Sequence, residues 1–436
     1  MNVLLIGGGG REHAIAEAIK RSRHDVKLYT AMSKRNPGIA RLSEDVLLMK
    51  ETEVERIKDY ALEKGIELCF IGPEAPLAAG MTDQLEAGGV RVFGPTLDAA
   101  RIEFDKAWTR NFMQEHKIKG NPHFKVFDRS QLREAHEFID LLGDVVVKPA
   151  GLTGGKGVRV MGDHFRTLDD AKEYTDLVLE KDDVVIEERL VGEEFTLQAF
   201  SDGTHLSFAP AVQDHKRAYD GDRGPNTGGM GSYSDAGETL PFMNYYDLDA
   251  AREIMQETID ALKADGIIYK GLLYGQFMLT REGPKVIEFN ARFGDPEAMN
   301  TLPLLKTDII DIAEHVTTGK LNELDVSFKE RASVCKYLVP EGYPEDPVTD
   351  TEIRITEPLG DALLFYSSVY EKDGKVYTTS SRAIALVGIA ENIIEAEAIV
   401  EEAMHAIKGS LHARHDIGTE QLLQQRIDHM NQVRGR

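Results

Sequence analysis

Two cysteines in 436 residues, Cys69 and Cys335, leave no material for a disulfide framework or a thiolate metal centre. They form no CxxC pair, and each sits in an apolar, strand-like run, LCFIG and SVCKYLV. Both are expected as buried free thiols. Basic residues are also short: 51 Lys and Arg face 74 Asp and Glu, a net charge of -23 with no basic stripe. That balance excludes a nucleic-acid partner. It leaves small anionic substrates open, because a few local cations suffice to bind phosphate. No apolar run is long enough to span a bilayer, and the chain opens directly on a strand, NVLLIG. A cytoplasmic protein with no membrane partner is expected. Internal repeats and low-complexity segments are absent as well.

What is present is enough apolar residue, 42%, to build cores for about three domains. Residues 1–103 alternate strands (VLLI, VKLYT, LCFIG, RVFGP) with helical stretches, the signature of βαβ units and a Rossmann-like parallel sheet. From 104 to 325 the texture becomes α+β. A small lid is expected over about 122–192, followed by a second sheet built from EFTLQAFS, HLSFAP, GLLYGQFMLT and KVIEFN. Within it, VQDHKRAYDGDRGPNTGGMGSYSDAG reads as a long functional loop with few apolar anchors. Residues 326–436 form a smaller α+β domain with a strand-turn-strand over Asp373-Gly374. The expected class is α/β and α+β, multidomain.

In KVIEFNARFGDPE, Glu288 and Asn290 stand two apart in a strand and share a face, with Ile287 and Phe289 on the other. Two hard oxygens on one strand face, beside phosphates, suit Mg²⁺ or Mn²⁺. VVVKPAGLTGGKGVRVM supplies the phosphates' side: Lys148 ends a strand, and Gly154, Gly155, Lys156 and Gly157 follow in a glycine-rich loop. Its spacing is not that of a Walker A loop, but glycine amides and lysines still suit phosphate oxygens. VIEERLVGEE places Glu187, Glu188 and Glu194 around a strand end, a solvated acidic edge unless a nucleotide lies beside it. IGGGGREHA fails the dinucleotide fingerprint at its third glycine, since His13 or Glu12 stands there. A glycine turn entering a helix remains an anion site.

Taken together, GGGGREHA, IGPEAPLAAG, VFGPT, VKPAGLTGGKGV, VIEERLVGEE, QDHKRAYDGDRGPNTGGMGSYS and KVIEFNARFGDPE resemble the ATP-grasp superfamily. Within it they are similar, in the same order, to the phosphoribosylamine–glycine ligase family. The resemblance implies an ATP-dependent carbon–nitrogen ligase of purine biosynthesis. It would join glycine to 5-phosphoribosylamine through glycyl phosphate, using ATP as co-substrate with Mg²⁺ or Mn²⁺. It implies ATP contacts at Lys106, Lys148, the 151–157 loop, Glu187, Glu188, Leu190 and Glu194, and metal ligands at Glu288 and Asn290. Asp214, Lys216, Arg217, Arg292 and Asp295 would face the acceptors, and the backbone of Gly228, Gly229, Met230 and Gly231 would take the glycine carboxylate. Gly10, Glu12, His13, Pro73 and Glu74 would meet the ribose phosphate. A monomer is expected. The chain departs from the family pattern where Gln276 replaces an acid and where Ser380-Ser381 precede Arg382. Three other readings stay open: another ATP-grasp carboxylate–amine ligase, a catalytically silent ATP-binding sensor, and an NAD(P)-binding oxidoreductase.

Overall fold

The computed structural model describes residues 1–151 and 157–435. The first sheet is parallel: β1 (Asn2–Ile6), β2 (Lys27–Met32), β3 (Asp45–Leu48), β4 (Leu68–Ile71) and β5 (Arg91–Phe93), ordered β3-β2-β1-β4-β5. Val3, Leu4, Leu5 and Ile6 are all inaccessible, as a strand covered on both faces requires. Helices α1 (Gly10–Lys20), α2 (Pro37–Leu42), α3 (Val54–Glu63), α4 (Glu74–Ala78) and α5 (Met81–Ala87) connect its strands. The edge strand β3 and the short α2 went unread in sequence. β3 has only four residues, none of them buried, so it carries little periodicity.

Helices α6 (Leu97–Phe104) and α7 (Lys106–Glu115) lead into the lid. Its antiparallel strands are β6 (Phe124–Phe127), β7 (Val145–Pro149), β8 (Arg159–Val160) and β9 (Val184–Glu188), ordered β6-β9-β7-β8. Helices α8 (Leu132–Leu142) and α9 (Leu168–Leu179) cover the sheet, closing a separate small core around Phe127, Phe138, Val147 and Ile186. The next sheet uses β10 (Glu193–Asp202), β11 (Leu206–Phe208), β16 (Lys270–Thr280) and β17 (Gly283–Asn290), ordered β11-β10-β16-β17. Helix α10 (Tyr245–Ala264) packs on it.

Between β11 and α10 the glycine-rich stretch is not one long loop. It forms β12 (Gln213–Asp214), the hairpin β13 (Arg217–Tyr219) and β14 (Arg223–Asn226), and β15 (Gly231–Ser234). Ala218, Met230 and Tyr233 within it are fully buried and anchor it, while Tyr219 on the hairpin stays exposed. β12 and β15 join a sheet whose other strands lie past residue 325: β18 (Ala332–Pro340), β20 (Leu363–Tyr366) and β23 (Ile384–Ala390), ordered β12-β15-β18-β23-β20. Strand pairing therefore crosses the boundary expected at 325. Helices α11 (Glu297–Thr301) and α12 (Ile309–Thr318) precede β18, and α13 (Ile393–Met404) packs on the sheet. The turn over Asp373-Gly374 does join two strands, β21 (Val369–Lys372) and β22 (Lys375–Thr378), which pair on to β19 (Glu352–Ile355). The closing helix α14 (Glu420–Arg434) was not anticipated. Cys69 and Cys335 are free and buried, and burial pushes both thiols up.

Strict alternation fails in β17. Gln276 faces Glu288 and Phe277 faces Val286, so Ile287 is an extra residue. Such a bulge re-aims the backbone beside it. Here the carbonyls of Val286 and Ile287 turn toward cations from α7 and β7. Glu288 and Asn290 still share a face, with Asn290 Nδ2 3.4 Å from Glu288 Oε1.

The first sheet meets the β10–β17 sheet backbone to backbone. Gly271 has φ +129°, and a Cβ there would stand 3.0 Å from Gly94 Cα and 3.3 Å from Pro95 Cδ. Neither neighbour can swing away. Gly271→Ala should lower unfolding free energy by about 2 kcal/mol in a denaturant titration. Gly319→Ala, in open space at a helix C-terminus, should cost less, about 1 kcal/mol.

Candidate active site

Four elements converge below the lid on one buried ion cluster. Arg110 of α7 grips Glu187 of β9 in a forked pair, Nε–Oε1 2.6 Å and Nη2–Oε2 3.1 Å. Lys148, at the end of β7, reaches the same carboxylate at 2.8 Å. Both cations also bond the bulge: Arg110 Nη2 donates to Ile287 O at 2.8 Å, and Lys148 Nζ to the same oxygen at 3.2 Å. All three side chains are almost wholly buried. Burial alone would raise the Glu187 carboxyl, but Arg110 and Lys148 pull it down and keep it ionised. Glu187 was expected at a nucleotide; its carboxylate is instead spent on these two cations. Glu188 accepts the His123 amide at 2.8 Å, and Leu190 stands half-buried just beyond. Lys106, at the start of α7, donates to Gly151 O at 2.8 Å. Gly157 O accepts the Tyr174 hydroxyl, while Gly154, Gly155 and Lys156 lie outside the described residues.

Glu288 is the focus of three lysines. Burial works against its charge, yet Lys216, Lys148 and Lys106 hold its pKa below the ordinary value. Burial lowers Lys148 and Lys106 in return. Lys216 also pairs with Glu194 Oε2 at 3.3 Å, and Gln276 Nε2 donates to that oxygen at 2.7 Å. Against burial, Glu194, Asp214 and Glu288 raise Lys216, so it stays charged.

On the far side of Glu288 lie the acceptor candidates. Arg292 Nη2 donates to Asn290 Oδ1 at 3.1 Å and pairs with Glu103 at 2.9 Å; its Nε lies 3.6 Å from Glu74. Asp295 accepts the Tyr337 hydroxyl at 2.6 Å and pairs with Arg382 at 3.1 Å. Asp214 Oδ1 is buried without a hydrogen-bond partner. Burial first, then the charge of Glu297, pushes the Asp214 carboxyl well up. Glu297 itself bonds neutral donors, Tyr274 Oη at 2.7 Å and Thr196 Oγ1 at 3.2 Å.

The turn at 228–231 does not offer the amides expected of it. Gly228 N, Gly229 N and Met230 N already donate to Tyr343 Oη, Thr227 Oγ1 and His215 O. Gly231 is strand, paired with Lys336. Arg217 turns away as well, to Gly224 O and to Asp163 of the lid at 2.6 Å.

A cavity of about 250 Å³ lies where the first sheet ends, lined in part by Gly8, Gly9, Glu12, Lys34, Pro73 and Ser368. Gly10 N, at the start of α1, donates to Ser367 Oγ at 3.2 Å. Glu12 borders the cavity, but its oxygens are taken by Gly9 N and Arg11 Nε, each 2.6 Å away. His13 does not line it. Its ring is buried against Tyr366, whose amide donates to Nδ1 at 2.8 Å. A larger recess of about 530 Å³, between the β13–β14 hairpin and Glu341–His412, is away from all these groups.

Arg110, Glu103 and Ser367 belong to this cluster and were not singled out in sequence; Arg382 was named only for the serines before it. None sits in a glycine-rich or strand-end motif; only the folded chain brings them together. Glu297 closes the GDPE motif but carried no assigned role.

A lid sheet bearing phosphate-type lysines, closing on an antiparallel sheet that presents Glu288 and Asn290, defines an ATP-grasp enzyme. Three family models match in chain order: Phosphoribosylglycinamide synthetase N domain over 1–103, its ATP-grasp (A) domain over 104–298 and its C domain over 333–420. The chain belongs to the phosphoribosylglycinamide synthetase family. It is 61% identical over its whole length to a Methanosarcina barkeri protein named phosphoribosylamine–glycine ligase, covering all of that protein too. A Methanocaldococcus jannaschii protein of the same name is 49% identical, with both chains fully covered. Among solved structures, Thermotoga maritima phosphoribosylamine–glycine ligase superposes with TM-score 0.80 at 28% identity, over 96% of this chain and 100% of that one. The biotin carboxylase domain of Hydrogenobacter thermophilus 2-oxoglutarate carboxylase, 14% identical with TM-score 0.71, covers 100% of this chain and 95% of its own and shares the fold. The oxidoreductase alternative falls with these matches. Among the described residues no helix is long and apolar enough to cross a membrane.

Two measurements check the electrostatics. Glu187→Ala strands Arg110 and Lys148 in the interior and should cost about 3–5 kcal/mol of unfolding free energy. Glu188→Ala, at a half-exposed site, should cost about 1 kcal/mol. His13 is lowered from 6.5 to about 4, chiefly by burial and next by Arg41. The unfolded chain therefore binds a proton at a pH where folded His13 does not. Stability from this group is complete above about pH 6.5 and declines toward pH 4, by on the order of 3 kcal/mol. His13→Gln should remove that part of the slope in urea melts across the range; an unchanged slope would show His13 is not the source.

Proposed function

We propose that this ligase joins glycine to 5-phosphoribosylamine, forming glycinamide ribonucleotide, ADP and phosphate by way of glycyl phosphate. The reading is supported chiefly by the convergence of Lys106, Lys148 and Lys216 on Glu288, next to a separate acceptor pocket, in a chain whose relatives carry that name. Phosphoryl transfer asks for positioning and charge neutralisation rather than a nucleophilic side chain.

ATP lies between the lid and the β10–β17 sheet, its phosphates near Lys106 and Lys148. Glu188, Leu190 and Glu194 border the adenosine, and Glu187 acts by fixing Lys148. Glu288 and Asn290 offer ionised and neutral hard oxygens on one face, a donor set that fits Mg²⁺ or Mn²⁺. That metal, when bound, offsets charge on the terminal phosphates.

Arg292, projecting beside Asn290, orients the glycine carboxylate. One carboxylate oxygen bonds to the γ-phosphorus as the bond to the ADP oxygen breaks. The sugar amine then attacks the carbonyl carbon, phosphate departs, and the amine's proton goes to Asp214. Asp214 Oδ1, buried and engaged by no other hydrogen bond, is available to receive it. Gly8, Gly9 and Pro73 border the ribose phosphate, with Lys34 and Ser368 added by the cavity.

ADP release should require both glycine and phosphoribosylamine, each omitted in turn. Glu288→Gln keeps one oxygen and loses the charge. Its kcat should fall at least about a hundredfold, about 2.7 kcal/mol on the barrier, with ATP affinity changing far less. Asn290→Ala should be milder. Near-wild-type turnover of folded Glu288→Gln would overturn the metal assignment.

A further inference from the structure

Arg382 belongs to the C-terminal segment, just before β23, but its guanidinium is turned toward the central segment. Nη1 donates to Gly228 O at 2.5 Å, to Gly229 O at 3.0 Å and to Asp295 O at 2.9 Å. Nη2 pairs with the Asp295 carboxylate at 3.1 Å. The cation lies over the Tyr337 ring, 4.5 Å from its centre, and the Tyr337 hydroxyl bonds the same carboxylate. The side chain is only 13% exposed. A guanidinium whose donors meet carbonyl oxygens fixes backbone, and its rigid fork does so in one geometry.

The backbone so fixed is two turns, 228–229 and 295–296, pressed against each other. Gly229 has φ +109°. A Cβ on it would stand 2.6 Å from Asp214 Oδ1 and 2.7 Å from Pro296 Cδ. The turns are in contact across the group proposed to take the amine's proton, and Arg292 lies three residues before Asp295. Loosening either turn would move Asp214 relative to Arg292, the two groups assigned to opposite ends of the acceptor site.

We infer that Arg382 is a positioning residue for the acceptor amino acid: acting through these turns, it sets an Asp214-to-Arg292 spacing that admits glycine and disfavours bulkier amino acids. The C-terminal segment thus helps to build the acceptor site while leaving the nucleotide side untouched. The inference rests on the glycine reading above.

The full-length enzyme is assayed for ADP release against glycine and against L-alanine, with binding of a non-hydrolysable ATP analogue measured separately. Arg382→Ala should raise the glycine KM at least about tenfold and lower the glycine-to-alanine ratio of kcat/KM by about tenfold. Analogue affinity should stay within about threefold. Arg382→Lys should recover part of the loss, and millimolar guanidinium ion should restore part of the activity of Arg382→Ala. If Arg382→Ala fails to fold, Tyr337→Phe removes only a hydroxyl from Asp295 and should shift the ratio in the same direction, about threefold. An unmoved glycine KM and ratio in the folded variants, or equal losses for nucleotide and glycine, overturns the inference. Wild-type ADP release that ignores glycine overturns the underlying reading as well. A glycine-dependent wild type with an unmoved Arg382→Ala overturns this inference alone.

Discussion

The ion cluster of Arg110, Glu187 and Lys148 is the constraint on which the nucleotide side depends. One carboxylate joins a helix and two lid strands, and the cations it holds are bonded to the bulge of β17. A buried charge group of this kind adds little net stability, since desolvation offsets most of the attraction. Its value is geometric. Lys148 cannot leave Glu187 without exposing an unpaired charge to the interior, so its ammonium stays beside Glu288. The bulge at Ile287 serves the same end, because a regular strand would aim those carbonyls elsewhere.

Charge in the acceptor half is arranged in the opposite sense. Lys106, Lys148 and Lys216 concentrate positive charge where phosphates would lie. Past Arg292 acids dominate: Asp295 is paired with Arg382, Asp214 lacks a partner for one oxygen, and Glu297 bonds only neutral donors. Lys216 acts on both Glu288 and Asp214, but Glu288 has Lys148 and Lys106 besides, whereas Asp214 has the acid Glu297. That difference separates a group that must stay charged from one that can take a proton. Tyr337 and Arg382 tie the acceptor half to the C-terminal sheet, and Ser367 ties that sheet to the turn opening α1.

How much of this was legible in sequence depended on how local each signal was. The parallel sheet showed in its apolar runs, and the metal-type pair in its i, i+2 spacing. Lys148 showed because it ends a strand before a glycine loop. What failed was inference about side-chain direction. His13 and Glu12 sit in a glycine-rich motif, yet one packs beneath Tyr366 and the other bonds its own turn. Gly228–Met230 look like a free anion cradle until the chain supplies Tyr343, Thr227 and His215 as acceptors for their amides. Arg110 was invisible, and the contacts of Arg382 could not be read, because their partners lie 77 and 154 residues away. The alternation in β17 misled at Ile287, where a one-residue bulge leaves no compositional trace.

The central claim is that this site activates a carboxylate by phosphorylating it. Glycine labelled with ¹⁸O in its carboxylate, turned over with ATP and phosphoribosylamine, tests it directly by mass spectrometry of the inorganic phosphate. If glycyl phosphate forms, one labelled oxygen leaves glycine and appears in each phosphate released. Phosphate carrying no label, with one labelled oxygen in the amide product and the other lost to water, would contradict the account.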